Sequence, residues 1–223
     1  MKTGPYKALA ALHEDMRRDF PGFAIREKRV WYWWVLYFVG LMFLWNKGFM
    51  KTMWTTVGRV VYIPNAPSLF AAGRRDEEVM GSYATLWHER QHILDRTELE
   101  GVPEPLRGVV WFGGYFFPQF LALGALGAFW TPWAWCCLVF LAPWPAPFRV
   151  WAERRGYLAS AEAWQYLTNG GWEPNVHDPW IQRIITRNFL GWSYWRMSWS
   201  RESVERWFAA GLEDLKMEFR RKS

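Results

Sequence analysis

The sequence predicts one domain of 223 residues with a mainly helical α+β fold. Three observations indicate this fold class. Apolar residues recur at helical spacing in several stretches along the chain. Residues 52–64 have the β-branched and aromatic composition of strands. Residues 108–148 carry no charge at all, which predicts an apolar helical hairpin inserted into the domain.

The N-terminal third combines a helix, an apolar segment and a strand region. Apolar residues at helical spacing predict a helix over residues 5–20, and Pro21 and Gly22 end that pattern. Residues 30–46 are uncharged and carry tryptophans near both ends, as interfacial aromatic belts do, which favours membrane contact over a buried core helix. Residues 52–64 predict a strand, in which Gly58 separates two short apolar halves.

Helices are predicted on both sides of the apolar hairpin. Residues 76–96 begin with three acidic residues and end with arginines, which suits the helix dipole. Within residues 108–148, Thr131 and Pro132 mark a turn, and Gly124 and Gly127 would allow the two arms to approach closely. Residues 149–167 return to a polar helical pattern. Asp178 and Ser200 then cap two further predicted helices.

Composition excludes some partners and leaves others open. The net charge of +6 is compatible with attraction to anionic lipid or nucleic acid, but no nucleic-acid-binding signature accompanies it. The two cysteines, Cys136 and Cys137, are adjacent and lie in the apolar run, so they form no disulfide framework. We interpret them as small buried or lipid-facing side chains in a reducing compartment.

The stretch His88-Glu89-Arg90-Gln91-His92 matches the pattern H-E-x-x-H. Two histidines four residues apart on a helix project from one face, so both imidazoles can reach one cation. Glu89 lies beside that face, where its carboxylate can accept a proton from an activated water. The motif therefore predicts Zn²⁺ bound by His88 and His92, with Glu89 as the general base of a hydrolase.

A third ligand must come from elsewhere in the chain. Glu153 is the first acidic residue after Glu104, and the two arms of the hairpin would return the chain to the metal at that point. Glu162, nine residues later, is the rival ligand. Position favours Glu153, and both remain candidates on the residues alone.

With His88, Glu89, His92 and the downstream Glu153, the chain resembles the gluzincin group of zinc metallopeptidases, and especially the small forms called minigluzincins. Membrane relatives of the heat-shock and prenyl-protein protease kind also carry apolar segments between motif helix and third ligand. The strand-then-helix order, TTVGRVVYIP followed by LWHERQH, is similar to that plan. The resemblance covers about residues 52–167. One departure is that the aspartate that often follows the third ligand is missing after Glu153.

The resemblance implies a minimal zincin core with zinc held by His88, His92 and Glu153. It also implies hydrolysis of a peptide bond in a peptide or protein substrate, with Glu89 passing the proton of water to the leaving amine. Tyr157 is a candidate donor to the developing oxyanion. The strand before the motif helix is expected to hold an extended substrate by backbone pairing.

Two further expectations concern the alternative function and the location. The protein could instead be a membrane-associated structural or assembly component with a non-catalytic zinc site. The apolar segments 30–46 and 108–148 predict membrane association. Basic residues near the motif then favour an active site that faces the cytoplasm by the positive-inside tendency. These residues are Lys47, Lys51, Arg59, Arg74 and Arg75.

Overall fold

The computed structural model of the protein describes residues 4–28, 53–117, 119–141, 144, 146–191, 197–198 and 200–222. The predicted apolar segment 30–46 lies outside these residues. In chain order the α-helices are α1 (Pro5–Asp19), α2 (Asp76–Thr97), α3 (Glu104–Tyr115), α4 (Pro147–Leu167), α5 (Pro179–Ile184) and α6 (Arg201–Lys222). The strands are β1 (Ala24–Glu27), β2 (Thr55–Val57) and β3 (Val60–Ile63). Shorter helical segments are 3₁₀ at Pro67–Phe70, Gln119–Phe129 and Pro132–Leu141, and π-helical at Ile185–Phe189. The mainly helical α+β fold class is confirmed.

The helix boundaries follow the capping signals of the sequence. Asp178 Oδ1 accepts a hydrogen bond from the backbone N–H of Trp180 at 2.8 Å, and Pro179 occupies the first position of α5. Ser200 Oγ likewise accepts from the N–H of Ser203 at 3.1 Å at the start of α6. Both helices therefore begin where the sequence predicts.

The strand region is a three-stranded sheet in the order β1-β3-β2. β1 pairs parallel with β3, and β2 pairs antiparallel with β3. Residues 52–64 are thus a β-hairpin and not the single strand predicted. Gly58 has a φ of +67°, and this left-handed conformation lets the chain reverse at the position that the sequence marked as a break. Among the described strands, β2 lies at an edge of the sheet.

Two apolar cores flank the contact between α2 and α4. One core joins α1, the sheet and α2 through buried residues such as Leu9, Val61 and Leu86. The other joins α4, α5, the π-helical turn and α6, with Phe189 and Phe208 fully buried. The Ser160 hydroxyl on α4 donates to the Ala84 carbonyl on α2 at 2.9 Å. This packing places α2 beside α4 over most of their lengths.

The uncharged stretch folds back on itself but is not built from long helices. α3 ends at Tyr115, so the arm predicted from residue 109 to residue 130 is two helical segments. A Cβ atom on Gly124 would lie 2.7 Å from Cys137 Sγ, and one on Gly127 would lie 3.5 Å from the Ala134 Cβ. The small residues thus allow the predicted close approach. None of the described helices combines the length and apolar character needed to cross a membrane.

Candidate metal centre

His88 and His92 lie on one face of α2, as the spacing predicts. Both side chains are buried, and their ring centroids are 4.6 Å apart at an angle of 87°. Helix α2 begins with Asp76, Glu77 and Glu78, whose negative charges stabilise its N-terminus. The helix therefore presents two imidazoles, one turn apart, toward the neighbouring α4.

Glu153 on α4 is the third member of this group. Its Oε2 atom is 3.4 Å from His88 Nε2, and its Oε1 atom is 3.4 Å from His92 Nε2. One ligand atom from each residue lies within 4.8 Å of the others. Two ligands about 2.1 Å from a tetrahedral zinc ion are about 3.4 Å apart, which is the distance from each histidine to Glu153. Two imidazoles and a carboxylate are also a common zinc donor set.

The structure distinguishes the two candidate third ligands. In the part of the chain that is described, His88, His92 and Glu153 are the one cluster of potential metal ligands this close together. Glu162 is on the same helix but nine residues further on, about 13 Å along the axis. The packing of α2 on α4 therefore brings Glu153, the candidate favoured by its position in the sequence, close to the two histidines.

Charge and burial make this group attractive to a cation. Burial opposes ionisation of Glu153, but its hydrogen bonds with His88 and His92 hold its pKa well below the ordinary value. Burial likewise opposes protonation of His92, but Glu153, Glu89 and Asp95 outweigh it and raise the pKa of His92. The negative potential that retains this proton would also favour a metal ion in its place.

Gly156 controls how closely α4 approaches His88. A Cβ atom at this position would lie 2.7 Å from both Cε1 and Nε2 of His88 and 2.8 Å from Nδ1. Such contacts are far inside van der Waals distance. The one local signal for this role is the glycine itself, which costs about 1 kcal/mol relative to alanine inside a helix. The glycine lets the two helices bring Glu153 to the histidines.

Tyr115, at the end of α3, is a site residue that the sequence pattern did not reveal. Its hydroxyl donates a hydrogen bond to Glu153 Oε1. Arg149 on α4 donates to the Tyr115 carbonyl at 2.9 Å and lies over its ring. These contacts fix the end of α3 against the third-ligand helix. Residue 115 is 38 positions from Glu153, and no local motif connects the two.

Tyr157, the candidate oxyanion donor, borders the site on the His88 side. Its ring packs edge-on against His88, with centroids 4.6 Å apart. Its hydroxyl accepts a hydrogen bond from Asn188 Nδ2. Tyr157 therefore supports a ligand histidine through its ring, while its hydroxyl is held by the π-helical turn.

Asp95, three residues after His92 on α2, pairs with an arginine of α4. The structure shows the arginine pair, with Arg155 Nε donating to Asp95 Oδ1 at 2.7 Å. Gln91 donates to the same oxygen at 2.6 Å. Asp95 is buried, and burial raises the pKa of its carboxyl. The ion pair ties α2 to α4 next to the three candidate metal ligands.

Glu89 is buried beside the three ligands and faces the sheet. The Thr56 hydroxyl on β2 donates to Glu89 Oε2 at 2.5 Å. Lys28 is also buried here, and its Nζ donates to the Thr55 hydroxyl at 2.7 Å. Burial lowers the pKa of Lys28 to about 7, and the charge of Glu89 opposes that shift. The edge strand β2 therefore runs directly past the candidate general base.

The other histidines and the cysteines lie away from this group. His13 packs edge-on against Phe23 and Phe70, with centroid distances of 5.8 and 5.2 Å. His177 is exposed before α5. Cys136 is exposed, whereas Cys137 is half-buried beside Gly124.

Comparisons with protein-family models, with curated proteins and with solved structures find no match to this chain. The resemblance to gluzincins therefore depends on the motif and on the geometry of His88, His92 and Glu153.

Proposed function

We propose that the protein is a zinc-dependent metallopeptidase of the gluzincin type. The observation that carries the proposal is the approach of Glu153 to both histidines of H-E-x-x-H, with the intervening Glu89 beside them. Three protein ligands and one adjacent carboxylate are the arrangement of catalytic zinc sites, which keep a coordination position open. Structural zinc sites almost always have four protein ligands.

The residues around the ligands suit peptide hydrolysis. When bound, zinc supplies a Lewis acid that polarises a carbonyl and lowers the pKa of water. Glu89 accepts the proton of the attacking water and transfers it to the leaving amine. The Thr56 hydroxyl holds the Glu89 carboxylate in position through its hydrogen bond. Tyr115 orients Glu153 from its outer side, as hydrogen-bond partners of metal ligands commonly do.

An extended peptide is the substrate that this surface fits best. β2 is an edge strand among the described residues, and Thr56 on it contacts Glu89. An edge strand can bind an extended chain through its backbone N–H and C=O groups. A peptide held there would present its carbonyl groups along α2, next to the proposed metal and base.

The first experiment replaces Glu89 by Gln. We expect the variant to keep one equivalent of zinc, because Glu89 is not a ligand, and to lose peptide hydrolysis by at least about 100-fold. Zinc is measured by elemental analysis, and hydrolysis with a fluorogenic peptide library. Cleavage by the variant at the wild-type rate would exclude Glu89 as the base. A wild-type protein that binds zinc but cleaves no peptide would favour the second candidate.

That second candidate is a membrane-associated structural or assembly protein with a non-catalytic zinc site. The burial of all three ligands favours it, since structural sites are closed to solvent. In this case a chelator would abolish cooperative unfolding in the wild type and in Glu89→Gln alike. A catalytic zinc would instead leave a folded apoprotein whose peptidase activity returns when zinc is added.

We also propose that the protein associates with a membrane and that its active site faces the cytoplasm. The turn of the uncharged stretch exposes Phe129, Trp130 and Trp133, each more than 80% accessible. Exposed aromatic side chains without nearby charges are typical of interfacial anchors. Replacing Trp130 and Trp133 by Glu should reduce sedimentation with phospholipid vesicles and leave zinc content unchanged. Equal sedimentation would exclude this turn as an anchor.

A further inference from the structure

Arg96 continues the row of metal ligands along α2. Positions 88, 92 and 96 are successive i+4 positions, so they share one face of the helix. The Arg96 Cα lies about 6 Å beyond that of His92 along the axis. Side chains on a helix lean toward its N-terminus, which for Arg96 is the direction of His92. Arg96 is thus the next side chain along the candidate active-site face.

The guanidinium of Arg96 lies close to two glycines that belong to different elements. A Cβ atom on Gly58, in the β2–β3 turn, would be 3.4 Å from Nη1, and one on Gly108, in α3, would be 3.6 Å from Nη2. Nε and Nη1 are buried and have no hydrogen-bond partner among the described residues. Buried donors without an acceptor are costly, so this side chain has the binding capacity for an oxygen ligand.

An open cavity of about 860 Å³ adjoins Arg96. Its other lining residues come from α3: Glu104, Pro105, Gly108, Val109, Phe112 and Gly113. The volume is in the range of ligand sites, and the lining is mostly apolar. A mostly apolar cavity with one unpaired guanidinium suits the methylene groups and the carboxylate of an acidic side chain.

The charges near the cavity favour an anion. Burial, followed by the nearby positive charge of Arg59, lowers the pKa of Arg96. No carboxylate lies within ion-pair distance of Arg96 in the described part of the chain. Glu104 is the one acidic residue of the lining, and it is exposed at the first position of α3. The potential around the unpaired donors is therefore positive, and Glu104 partly offsets it.

Strand β2 connects this cavity to the proposed catalytic group. Its residue Thr56 contacts Glu89, and Gly58, two residues later, approaches Arg96. Two residues of chain span at most about 7 Å. Antiparallel pairs outnumber parallel ones, so we take the substrate to run opposite to β2. Its residues N-terminal to the scissile bond then lie opposite Gly58 and Arg96.

We infer that the Arg96 cavity is a substrate subsite that binds the carboxylate of an Asp or Glu side chain two or three residues N-terminal to the scissile bond. The Arg96 guanidinium would form a charge-assisted, hydrogen-bonded pair with the carboxylate. This inference deepens the proposed peptidase function and rests on it. The metal group alone implies no preference among peptides. The Arg96 cavity adds one, for peptides with an acidic residue before the cleaved bond.

The test compares two peptide series with the zinc-loaded full-length protein. The series carry Glu or Gln at the second or third position before the cleaved bond. We expect kcat/KM to be at least about 10-fold higher for Glu, as for a hydrogen-bonded charge pair. Arg96→Gln should reduce this ratio to about one, and Glu104→Gln should raise it. Arg183→Gln, which removes an exposed arginine on α5, is the matched control and should leave the ratio unchanged.

A binding measurement separates this inference from the peptidase proposal. In the Glu89→Gln background, fluorescence anisotropy should show tighter binding of the Glu peptide than of the Gln peptide, and Arg96→Gln should remove the difference. Arg96-dependent binding without any cleavage by the wild type would overturn the peptidase proposal and leave the carboxylate site standing. Cleavage with equal kcat/KM for Glu and Gln would overturn the subsite. So would Arg96-dependent binding to phosphatidylserine vesicles with no preference among peptides.

Discussion

Gly156→Ala is the substitution for which helix propensity and the site geometry predict opposite results. Alanine is the better helix former by about 1 kcal/mol, so an isolated α4 would gain stability. In the structure, however, the added Cβ would lie 2.7 Å from Cε1 and Nε2 of His88. Ordinary contacts between such atoms are about 3.5 Å or longer. The imidazole or the helix must therefore move by roughly 0.8 Å.

A displacement of that size exceeds what a metal site tolerates. Distances between zinc and its ligands vary by only about 0.2 Å. The residues around a site must also keep the ligand side chains within about 0.5 Å of their binding positions. His88 cannot simply swing aside, because its ring also packs on Tyr157. We therefore expect Gly156→Ala to weaken zinc binding by at least about 100-fold, at the upper end of what changes outside the ligands produce.

The assay is zinc titration of the apoprotein in competition with a chromophoric chelator, with circular dichroism to verify the fold. Gly81→Ala is the matched control, because Gly81 also lies inside a helix but a Cβ there would meet nothing within 4 Å. It should keep full zinc affinity and gain up to about 1 kcal/mol in free energy of unfolding. Wild-type zinc affinity in a folded Gly156→Ala protein would refute the close approach of α4 to His88.

Three other predictions follow from the contacts of the site. Glu153→Ala should lower the zinc content to near zero, whereas Glu162→Ala, on the same helix, should keep one equivalent; the reverse result would move the third ligand. Tyr115→Phe removes the hydrogen bond to Glu153 and should weaken zinc binding by about 10-fold without unfolding the protein; an unchanged affinity would show that Tyr115 does not orient this ligand. Lys28 has a folded-state pKa of about 7, below its unfolded value of 10.5. Its burial therefore lowers the free energy of unfolding by the full amount below pH 7, and this cost disappears as the pH rises toward 10.5. Urea unfolding of Lys28→Met should therefore show a larger gain in stability at pH 6 than at pH 10, and an equal gain at both would contradict the depressed pKa.

Local sequence patterns were sufficient to predict the positions of most of the helices. Apolar periodicity and capping residues marked α1, α2, α4 and the starts of α5 and α6 to within a few residues, because these signals act over one or two turns. Strand β1 gave no such signal. Its four residues, Ala24–Glu27, have no alternation, and they become a strand only by pairing with Val60–Ile63 across the sheet. The uncharged stretch was also harder to interpret, since composition predicts burial or lipid contact but not helix length.

The sequence by itself determined that one helix carries His88, Glu89 and His92 on adjoining faces, since the geometry of an α-helix relates positions four apart. It also limited the third ligand to two glutamates. The tertiary structure places Glu153, and not Glu162, beside the two histidines, because this depends on how α2 packs against α4 some sixty residues later. The same packing brought Gly156 against His88, and the end of α3 brought Tyr115 to Glu153. Contacts between distant segments follow from the fit of whole helix faces, and no local spacing records them.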